Sequence, residues 1–246
     1  MEAGCMPDVI QISPSLLNAA QALKCEYPGF DGKPFMTAHK FKMQLLGQEK
    51  ISEAALAGGA VHQAAWGGGE DLPEIGNWIV DPNVTMALNE ACNYRKGDGG
   101  VPEVPFMMYF PQYKARLSGR CDLLYDYRTV EGKTSASARK GERPDIGKYE
   151  VLPQSQAYAT FFQVPCEVYL VHLKKSKPRD RKKGTLGLLQ LADGPGCPIQ
   201  KAVVPPTKET AKFLDSWMAF TVDLVSRDEE MLLHLLRKGQ REQKGF

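Results

Sequence analysis

The chain has 246 residues, of which 43% are hydrophobic and 24% are charged. This length and composition are typical of a folded globular protein and exclude a disordered tail, a collagen-like fibre and a coiled coil. No apolar run approaches the roughly 18 residues of a transmembrane helix, and the first residues lack the basic flank and apolar stretch of a secretory signal. We therefore expect a cytoplasmic protein without a membrane partner, built as a single domain over residues 1–246.

The net charge of +2 conceals an asymmetry along the chain. Residues 1–100 carry 7 Lys and Arg against 12 Asp and Glu, whereas residues 101–246 carry 24 against 17. Much of the second excess lies in one basic run, which comprises Lys174, Lys175, Lys177, Arg179, Arg181, Lys182 and Lys183. Such a run can neutralise nucleic-acid phosphates, but it is also typical of a solvated loop between two strands. Charge alone leaves both interpretations open.

The first 100 residues predict an N-terminal helical part. Ser13-Pro14 is a cap signal that begins one helix, which extends to about Leu23. A second helix is predicted from Ser52 to Trp66 by its small packing residues, and Asp81-Pro82 begins a third. The Gly- and Pro-rich residues 27–37 predict a loop between the first two helices.

The periodicity changes after residue 100, where short β-leaning runs alternate with turn signals. Strands are predicted over 101–110, 113–125, 129–135, 167–173, 186–191 and 199–204. The polar residues 137–149 predict a loop, residues 152–162 predict a helix, and a long C-terminal helix is predicted over 205–246. This order of elements indicates an α/β fold in which a central mixed sheet within 101–204 is flanked by helices.

The most informative segment is a predicted hairpin with its turn at Asp126-Tyr127. Paired positions then sum to 253, so Asp122 lies opposite Glu131 with Cβ atoms roughly 4.5–5.5 Å apart. Two facing carboxylates repel each other, and a divalent cation would supply a reason for their proximity. Lys133 is two residues beyond Glu131 and therefore points to the same face. The three residues indicate metal-assisted hydrolysis, although an ion-paired strand face would also explain them.

Three further side chains are candidates for the same site. His62 lies on a predicted helix that is otherwise small and apolar, where it is either a metal ligand or a satisfied core histidine. Gln154 and Tyr158 are four residues apart and share one face of the helix that follows the strand of Lys133. Their alternative interpretation is a helix flank with one amide and one partly buried ring.

Taken together, these pieces resemble the RecB-like branch of the PD-(D/E)XK nuclease superfamily. The resemblance spans about residues 12–175 and rests on the order of its motifs. These are Ile12-Ser-Pro-Ser-Leu16 followed by Cys25, Gly58-x-x-x-His62, Glu103 in Pro-Glu-Val-Pro-Phe, Gly119-Arg-Cys-Asp122, Glu131-Gly-Lys133-Thr-Ser and Gln154-x-x-x-Tyr158. The resemblance implies a restriction-endonuclease-like core and a stand-alone nuclease of DNA recombination, repair or phage DNA metabolism, in a bacterial or phage-infected cytoplasm.

The resemblance also implies roles for individual residues. His62, Asp122 and Glu131 match the metal ligands, with the Gly132 carbonyl as a further ligand, and the expected cofactor is Mg²⁺ or Mn²⁺. Lys133 matches the lysine that positions or activates the attacking water, and Gln154 and Tyr158 match the pair that orients the site. The expected DNA contacts are the basic run together with Arg120, Thr134 and Ser135.

The sequence departs from some relatives of this family. An iron–sulfur cluster is not expected, because Cys25 is followed only by Cys92, Cys121, Cys166 and Cys197, without the clustered C-terminal cysteines that such relatives carry. No Gly-x-x-x-x-Gly-Lys-Ser/Thr motif is present, so a helicase would be a separate protein. A single-strand-annealing or helicase partner and a homo-oligomer are both compatible with the resemblance.

Three functions remain open at this point. The first is an exonuclease that hydrolyses phosphodiester bonds at DNA ends. The second is an endonuclease of the same superfamily that cuts internally or at branched structures. The third is a non-catalytic nucleic-acid-binding protein on a degenerate nuclease fold, against which the complete set of His, Asp, Glu, Lys, Gln and Tyr argues.

Overall fold

A computed structural model of the protein describes residues 9–27, 33–34, 36–67, 78–135, 146–176, 187–193 and 197–243, except for the side chains of 148–149 and 239–243. Within these ranges the chain has a mixed α/β fold, in which a central mixed sheet is flanked by helices. This confirms the predicted arrangement at that level. None of the described helices is long and apolar enough to cross a membrane.

The sheet is organised around two long strands, each of which pairs with several others. The strands are β1 Ile10–Ile12, β2 Trp78–Val80, β3 Val101–Phe110, β4 Ala115–Tyr125, β5 Arg128–Ser135, β6 Cys166–Ser176, β7 Gly187–Leu191 and β8 Ile199–Val204. β4 pairs with β3 along nearly its whole length, and with β1 at one end and β5 at the other. β6 pairs in parallel with β5, and antiparallel with β8 and β7. β2 joins β7 in parallel.

Eight α-helices flank this sheet in the described part of the chain, and a short 3-10 helix, Pro111–Tyr113, joins β3 to β4. The α-helices are α1 Pro14–Lys24, α2 Ala38–Leu45, α3 Glu53–Trp66, α4 Pro82–Ala91, α5 Gly147–Glu150, α6 Pro153–Phe162, α7 Lys208–Ser226 and α8 Glu229–Gln243. The side chains of Ser13, Ser52, Asp81 and Thr207 accept a backbone N–H at the starts of their helices. These caps explain why the predicted helix starts were accurate, because each satisfies a donor that the helix itself leaves free.

Two hydrophobic clusters place helices on both sides of the sheet. One cluster joins α1, α6, α7 and α8 to the sheet through residues such as Leu17, Tyr158 and Met218. The other joins α3 and α4 to the sheet through residues such as Val61 and Leu88. The two clusters make the sheet the middle layer of the fold.

Several short elements were not predicted. β1 and β2 have three residues each, too few to show an alternating pattern, and α2 follows immediately on the region predicted as a loop. The predicted loop over 137–149 lies mostly outside the described residues, which resume at residue 146. The prediction was wrong for its last three residues, which belong to α5.

The prediction of one C-terminal helix over 205–246 was wrong in one respect, because two helices are present. α7 ends at Ser226 and α8 begins at Glu229. Asp228 explains the new start, since its carboxylate accepts the Met231 N–H at 3.1 Å. The same carboxylate forms an ion pair of 2.8 Å with Lys42 of α2. A capping residue that also contacts another helix therefore divides the C-terminal segment.

We expect Asp228→Ala to lower the stability of the protein, because it removes a helix cap and an ion pair. Asp228→Asn retains an oxygen that can accept the Met231 N–H and should lose only the ion pair, so it should cost clearly less. Urea unfolding of the wild type and both variants measures the difference. Equal losses for the two variants would contradict the capping role.

Candidate functional site

The predicted hairpin between β4 and β5 has the expected turn and register. Tyr125 pairs with Arg128, Leu124 with Thr129 and Leu123 with Val130, so every pair sums to 253. The ladder then stops one step before Asp122 and Glu131. These two residues therefore lie where the strands separate, and they do not form the ladder pair that the sequence predicted.

Beyond the ladder, β1 takes the edge of β4 that β5 occupies at residues 123–125, and β5 runs on with β6 along its opposite edge. Nearer its start, β4 pairs with β1 at residues 115–117, whereas β5 continues in parallel beside β6 as far as Ser135. The result is a fork between β4 and β5. Backbone N–H and C=O groups at the fork, which a continuous ladder would have paired, are available for other contacts.

Strand β4 is irregular at the position of Asp122. Cys121 and Leu123 belong to different core clusters, although side chains two residues apart on a regular strand share one face. On the neighbouring strand, Glu103 adopts φ 54°, a left-handed conformation that is uncommon for a residue other than glycine. Local irregularities of this kind redirect side chains and occur often beside functional sites.

Asp122 connects the fork to helix α3. One of its carboxylate oxygens, Oδ2, accepts the Gly132 N–H at 2.8 Å and lies 3.6 Å from His62 Nδ1. The other imidazole nitrogen, Nε2, lies 3.0 Å from the Gly132 carbonyl oxygen. A Cβ atom at residue 132 would lie 2.6 Å from His62 Nε2 and 2.9 Å from the Trp66 ring. Glycine at 132 therefore allows α3 to bring His62 against the fork.

Glu131 is the most deeply buried charged residue of the site. It is only 1% exposed, and its Oε1 forms an ion pair with the Lys133 ammonium. Its Oε2 is buried and has no hydrogen-bond partner among the described residues. An ionised carboxylate in such a position is costly unless another cationic group completes its surroundings.

Burial alters the protonation of the acids and of the histidine. It raises the pKa of Asp122 to about 6, although the Lys133 charge and the Gly132 N–H act in the opposite direction. Burial, reinforced by the charge of Asp122, raises the pKa of Glu131 to about 7. Burial lowers the pKa of His62, which keeps its imidazole neutral at pH 7. A neutral imidazole is the form that binds metal ions.

A line of hydrogen bonds runs from Lys133 to the backbone of β4. Lys133 Nζ donates to Gln154 Oε1 at 3.1 Å, and Gln154 Nε2 donates to Tyr158 Oη at 2.8 Å. Tyr158 Oη in turn donates to the Arg120 carbonyl at 2.7 Å. The predicted residues Lys133 and Tyr158 are thus joined through Gln154 on the α6 side of the fork.

Asn18 of α1 is a member of this network that the sequence analysis missed. Its Nδ2 donates to Gln154 Oε1 at 2.9 Å, and its Oδ1 accepts the Gln154 backbone N–H at 3.1 Å. The two residues are 136 positions apart, so no local spacing could have joined them. Asn18 fixes the position of the amide that Lys133 contacts.

The predicted DNA contacts comprise three residues beside the site, the first two residues of the basic run, and the rest of that run. Arg120 is exposed beside the site, whereas Ser135 is buried, which disfavours a direct contact between its hydroxyl and DNA. Thr134 faces α3, where its Oγ1 would lie 3.1 Å from a Cβ at Gly58. Lys174 pairs with Asp193, and Lys175 lies 3.5 Å from Glu53 and 4.9 Å over the Trp78 ring. The rest of the basic run lies outside the described residues, namely Lys177, Arg179, Arg181, Lys182 and Lys183.

The donor set of the fork fits a divalent cation in its chemistry. The described residues contain no group of three or more His, Cys, Asp or Glu side chains arranged around a metal position. The fork nevertheless offers two carboxylates, including the unpartnered Glu131 Oε2, and the Gly132 carbonyl.

Comparisons with known proteins do not indicate a function, so the candidate function rests on the site itself. No protein-family model and no curated protein matches the sequence. Among solved structures, the chain is similar to SSO0001, over 87% of this chain and 76% of that chain, with a TM-score of 0.40 and 11% sequence identity.

We expect the ionisation of Glu131 to lower the free energy of unfolding of the metal-free protein as the pH rises from about 4 to 7. The folded state keeps the Glu131 proton up to a pKa of about 7, whereas the unfolded state releases it near its ordinary value, so ionisation favours unfolding. Glu131→Gln removes this dependence. The free energy of unfolding of the variant, relative to wild type, should therefore rise by on the order of 2 kcal/mol across that range.

Chemical denaturation at several pH values, with a chelator present, measures this difference. Asp126→Asn serves as the control, because Asp126 is exposed at the hairpin turn and the substitution should leave the pH dependence unchanged. A pH-independent difference between Glu131→Gln and wild type would show that the carboxylate is adequately compensated in the fold.

Proposed function

We propose that this protein is a divalent-metal-dependent deoxyribonuclease of the RecB-like PD-(D/E)XK type, acting at DNA ends. The observation that carries the proposal is the fork between β4 and β5. It gathers Asp122, Glu131 and Lys133 beside His62 and leaves the buried Glu131 Oε2 without a hydrogen-bond partner among the described residues. A strand face that serves stability alone has no use for that arrangement, because the two acids raise each other's cost of ionisation.

The residues that would hold the cation are Asp122, Glu131, the Gly132 carbonyl and His62. Mg²⁺ or Mn²⁺ bound there would supply charge stabilisation to a phosphodiester and would lower the pKa of a coordinated water. The raised pKa values of the two acids are consistent with this role. Carboxyl groups that ionise with difficulty in the metal-free protein gain the most from a cation.

Lys133 is the residue best placed to act on the attacked phosphate or the attacking water. Its ammonium contacts Glu131 and is anchored by Gln154, so it is oriented by groups on both β5 and α6. Tyr158 and Asn18 hold Gln154 in turn. A cation oriented before substrate binds can stabilise negative charge as it develops on the phosphate, without reorganising first.

The experiment that tests the proposed function is cleavage of labelled linear and covalently closed circular DNA with Mg²⁺, Mn²⁺ or a chelator. Cleavage of linear DNA alone supports an exonuclease. Cleavage of both substrates supports an endonuclease of the same superfamily. Binding without metal-dependent cleavage of either substrate would contradict the proposal and favour a non-catalytic binding protein.

We expect Asp122→Asn to lower cleavage by at least about 10²-fold, because it removes a carboxylate from the cation site. The fold should remain intact, since the amide oxygen can still accept the Gly132 N–H. The metal-free variant should be at least as stable as the wild type, because a buried carboxyl is lost. Mg²⁺ should also raise the melting temperature of the wild type more than that of the variant.

Asp126→Asn is the matched control, since it removes the same charge from the exposed turn of the same hairpin. It should retain both cleavage and the stabilisation by Mg²⁺. Wild-type cleavage by Asp122→Asn, in the presence of Mg²⁺, would rule out the assigned cation site.

We expect Lys133→Ala to lower single-turnover cleavage by about 10²-fold or more, while DNA affinity in Ca²⁺ stays within a few-fold of wild type. Lys133→Arg should not restore the rate fully, because a planar guanidinium does not occupy the position of an ammonium. Lys208→Ala, on the exposed surface of α7, is the control. Lost affinity with an unchanged rate at saturating DNA would instead make Lys133 a phosphate-binding residue.

A further inference from the structure

The start of helix α6 is held by α1 rather than by a cap of its own. The residue before the helix, Leu152, makes no side-chain cap, so the first backbone donors of α6 need a partner from elsewhere. Asn18 of α1 supplies one, since its Oδ1 accepts the Gln154 N–H at 3.1 Å. One turn further along α1, Gln21 Nε2 donates to the Val151 carbonyl at 2.7 Å. Helix α1 therefore fixes the backbone on both sides of the α6 start.

The hydrogen bond to the Gln154 backbone also determines how the Asn18 amide is turned. The Gln154 N–H is a donor, so the Asn18 atom that faces it has to be the oxygen. The Nδ2 group of Asn18 then faces Gln154 Oε1, to which it donates at 2.9 Å. A backbone donor, whose direction the helix fixes, thus selects the orientation of the Asn18 amide.

Asn18 in turn selects which atom Gln154 presents to Lys133. Because Asn18 Nδ2 can only donate, the Gln154 atom beside it is Oε1 and not Nε2. The same Oε1 accepts the Lys133 ammonium at 3.1 Å. A reversed amide would place its NH₂ group against both the ammonium and Asn18 Nδ2, so that donor would face donor. Asn18 therefore stabilises the orientation in which Gln154 anchors Lys133.

We propose that Asn18 is a positioning residue for Lys133, acting through Gln154 on the ammonium that meets the phosphate or the attacking water. The proposal rests on the proposed nuclease function for the reaction that Lys133 serves. Asn18 takes no part in the chemical step itself. Its contribution is an ammonium that is oriented before DNA binds, which removes a reorganisation from the reaction.

Three single variants separate positioning from stability. Asn18→Asp keeps an oxygen that can accept the Gln154 N–H, but its second oxygen faces Gln154 Oε1, so acceptor meets acceptor and the amide or the Lys133 ammonium has to move. Asn18→Ala removes both hydrogen bonds to Gln154. Gln21→Ala is the matched control, because it removes a hydrogen bond between α1 and the α6 start that does not involve Gln154.

We expect Asn18→Asp to lower the single-turnover cleavage rate at saturating DNA in Mg²⁺ by about 10-fold or more, the scale for losing a residue that orients a reacting group. Its melting temperature should stay close to that of the wild type, because the helix start keeps its acceptor and a carboxylate is favourable there. Gln21→Ala should show the opposite pattern, a lower melting temperature with the wild-type rate. A wild-type rate in Asn18→Asp would overturn the proposal.

A double-mutant cycle tests whether Asn18 acts through Gln154. Asn18→Ala should lower the rate of the wild type by a factor similar to that of Asn18→Asp. In a Gln154→Ala background the same substitution should change the rate by no more than about 2-fold, because the amide that it would misorient is absent. An equal loss in both backgrounds would show that Asn18 acts independently of Gln154 and would contradict the proposal.

The position of the ammonium can also be measured without cleavage. Acetylation by acetic anhydride, followed by mass spectrometry, gives the reactivity of Lys133 relative to that of the exposed Lys208. Asn18→Ala should raise this ratio by about 5-fold, the scale of one lost hydrogen bond, and Gln21→Ala should leave it unchanged. An unchanged ratio in Asn18→Ala would contradict the positioning of Lys133 by Asn18.

The failure of the nuclease proposal gives a different result. A raised Lys133 ratio in Asn18→Ala, in a protein that does not cleave DNA in Mg²⁺, supports the positioning role and contradicts the nuclease. Cleavage by the wild type, with an unchanged ratio and rate in both Asn18 variants, contradicts the positioning role alone.

Discussion

The separation of β4 and β5 after the pair Leu123–Val130 is the constraint on which the site depends. A continuous ladder would have used the Gly132 N–H in a backbone hydrogen bond to β4. At the fork this donor goes instead to the Asp122 carboxylate, and the Gly132 carbonyl meets His62. At the start of β4, β1 pairs with the edge that β5 has left, while β6 stays on the opposite edge of β5. The fold thereby creates a polar opening within its middle layer.

The electrostatics of the fork follow from this position in the sheet. Glu131 is enclosed between β5 and α6, and a single ammonium only partly offsets the loss of its hydration, so its pKa rises to about 7. Asp122 is affected in the same direction. A core built for stability alone would place apolar residues at these positions. Two buried carboxyl groups with raised pKa values lower the stability of the metal-free fold, at a site where both groups would bind a cation.

Much of the fold and part of the site could be predicted because their determinants are local. The turn at Asp126-Tyr127 fixed the hairpin register, and cap residues such as Ser13 and Asp81 marked helix starts. The irregularity at Asp122 could not be predicted, because no local pattern in the two strands marks the end of their ladder. Asn18 could not be found either, since its contact with Gln154 joins distant parts of the chain.

The hydrogen-bond line behind Lys133 has a direction that its donors determine. Tyr158 is 1% exposed, burial raises its pKa well above the ordinary value, and its single proton is donated to the Arg120 carbonyl. The Tyr158 oxygen must then accept from Gln154, which fixes the amide with Nε2 toward the ring and Oε1 toward Lys133. Asn18 Nδ2 donates to the same Oε1 and supports this orientation. The Lys133 ammonium therefore contacts oxygen acceptors of both Glu131 and Gln154. The hydrogen bond from Tyr158 to a backbone carbonyl of β4 sets the orientation of the Gln154 amide, and through it the position of the ammonium.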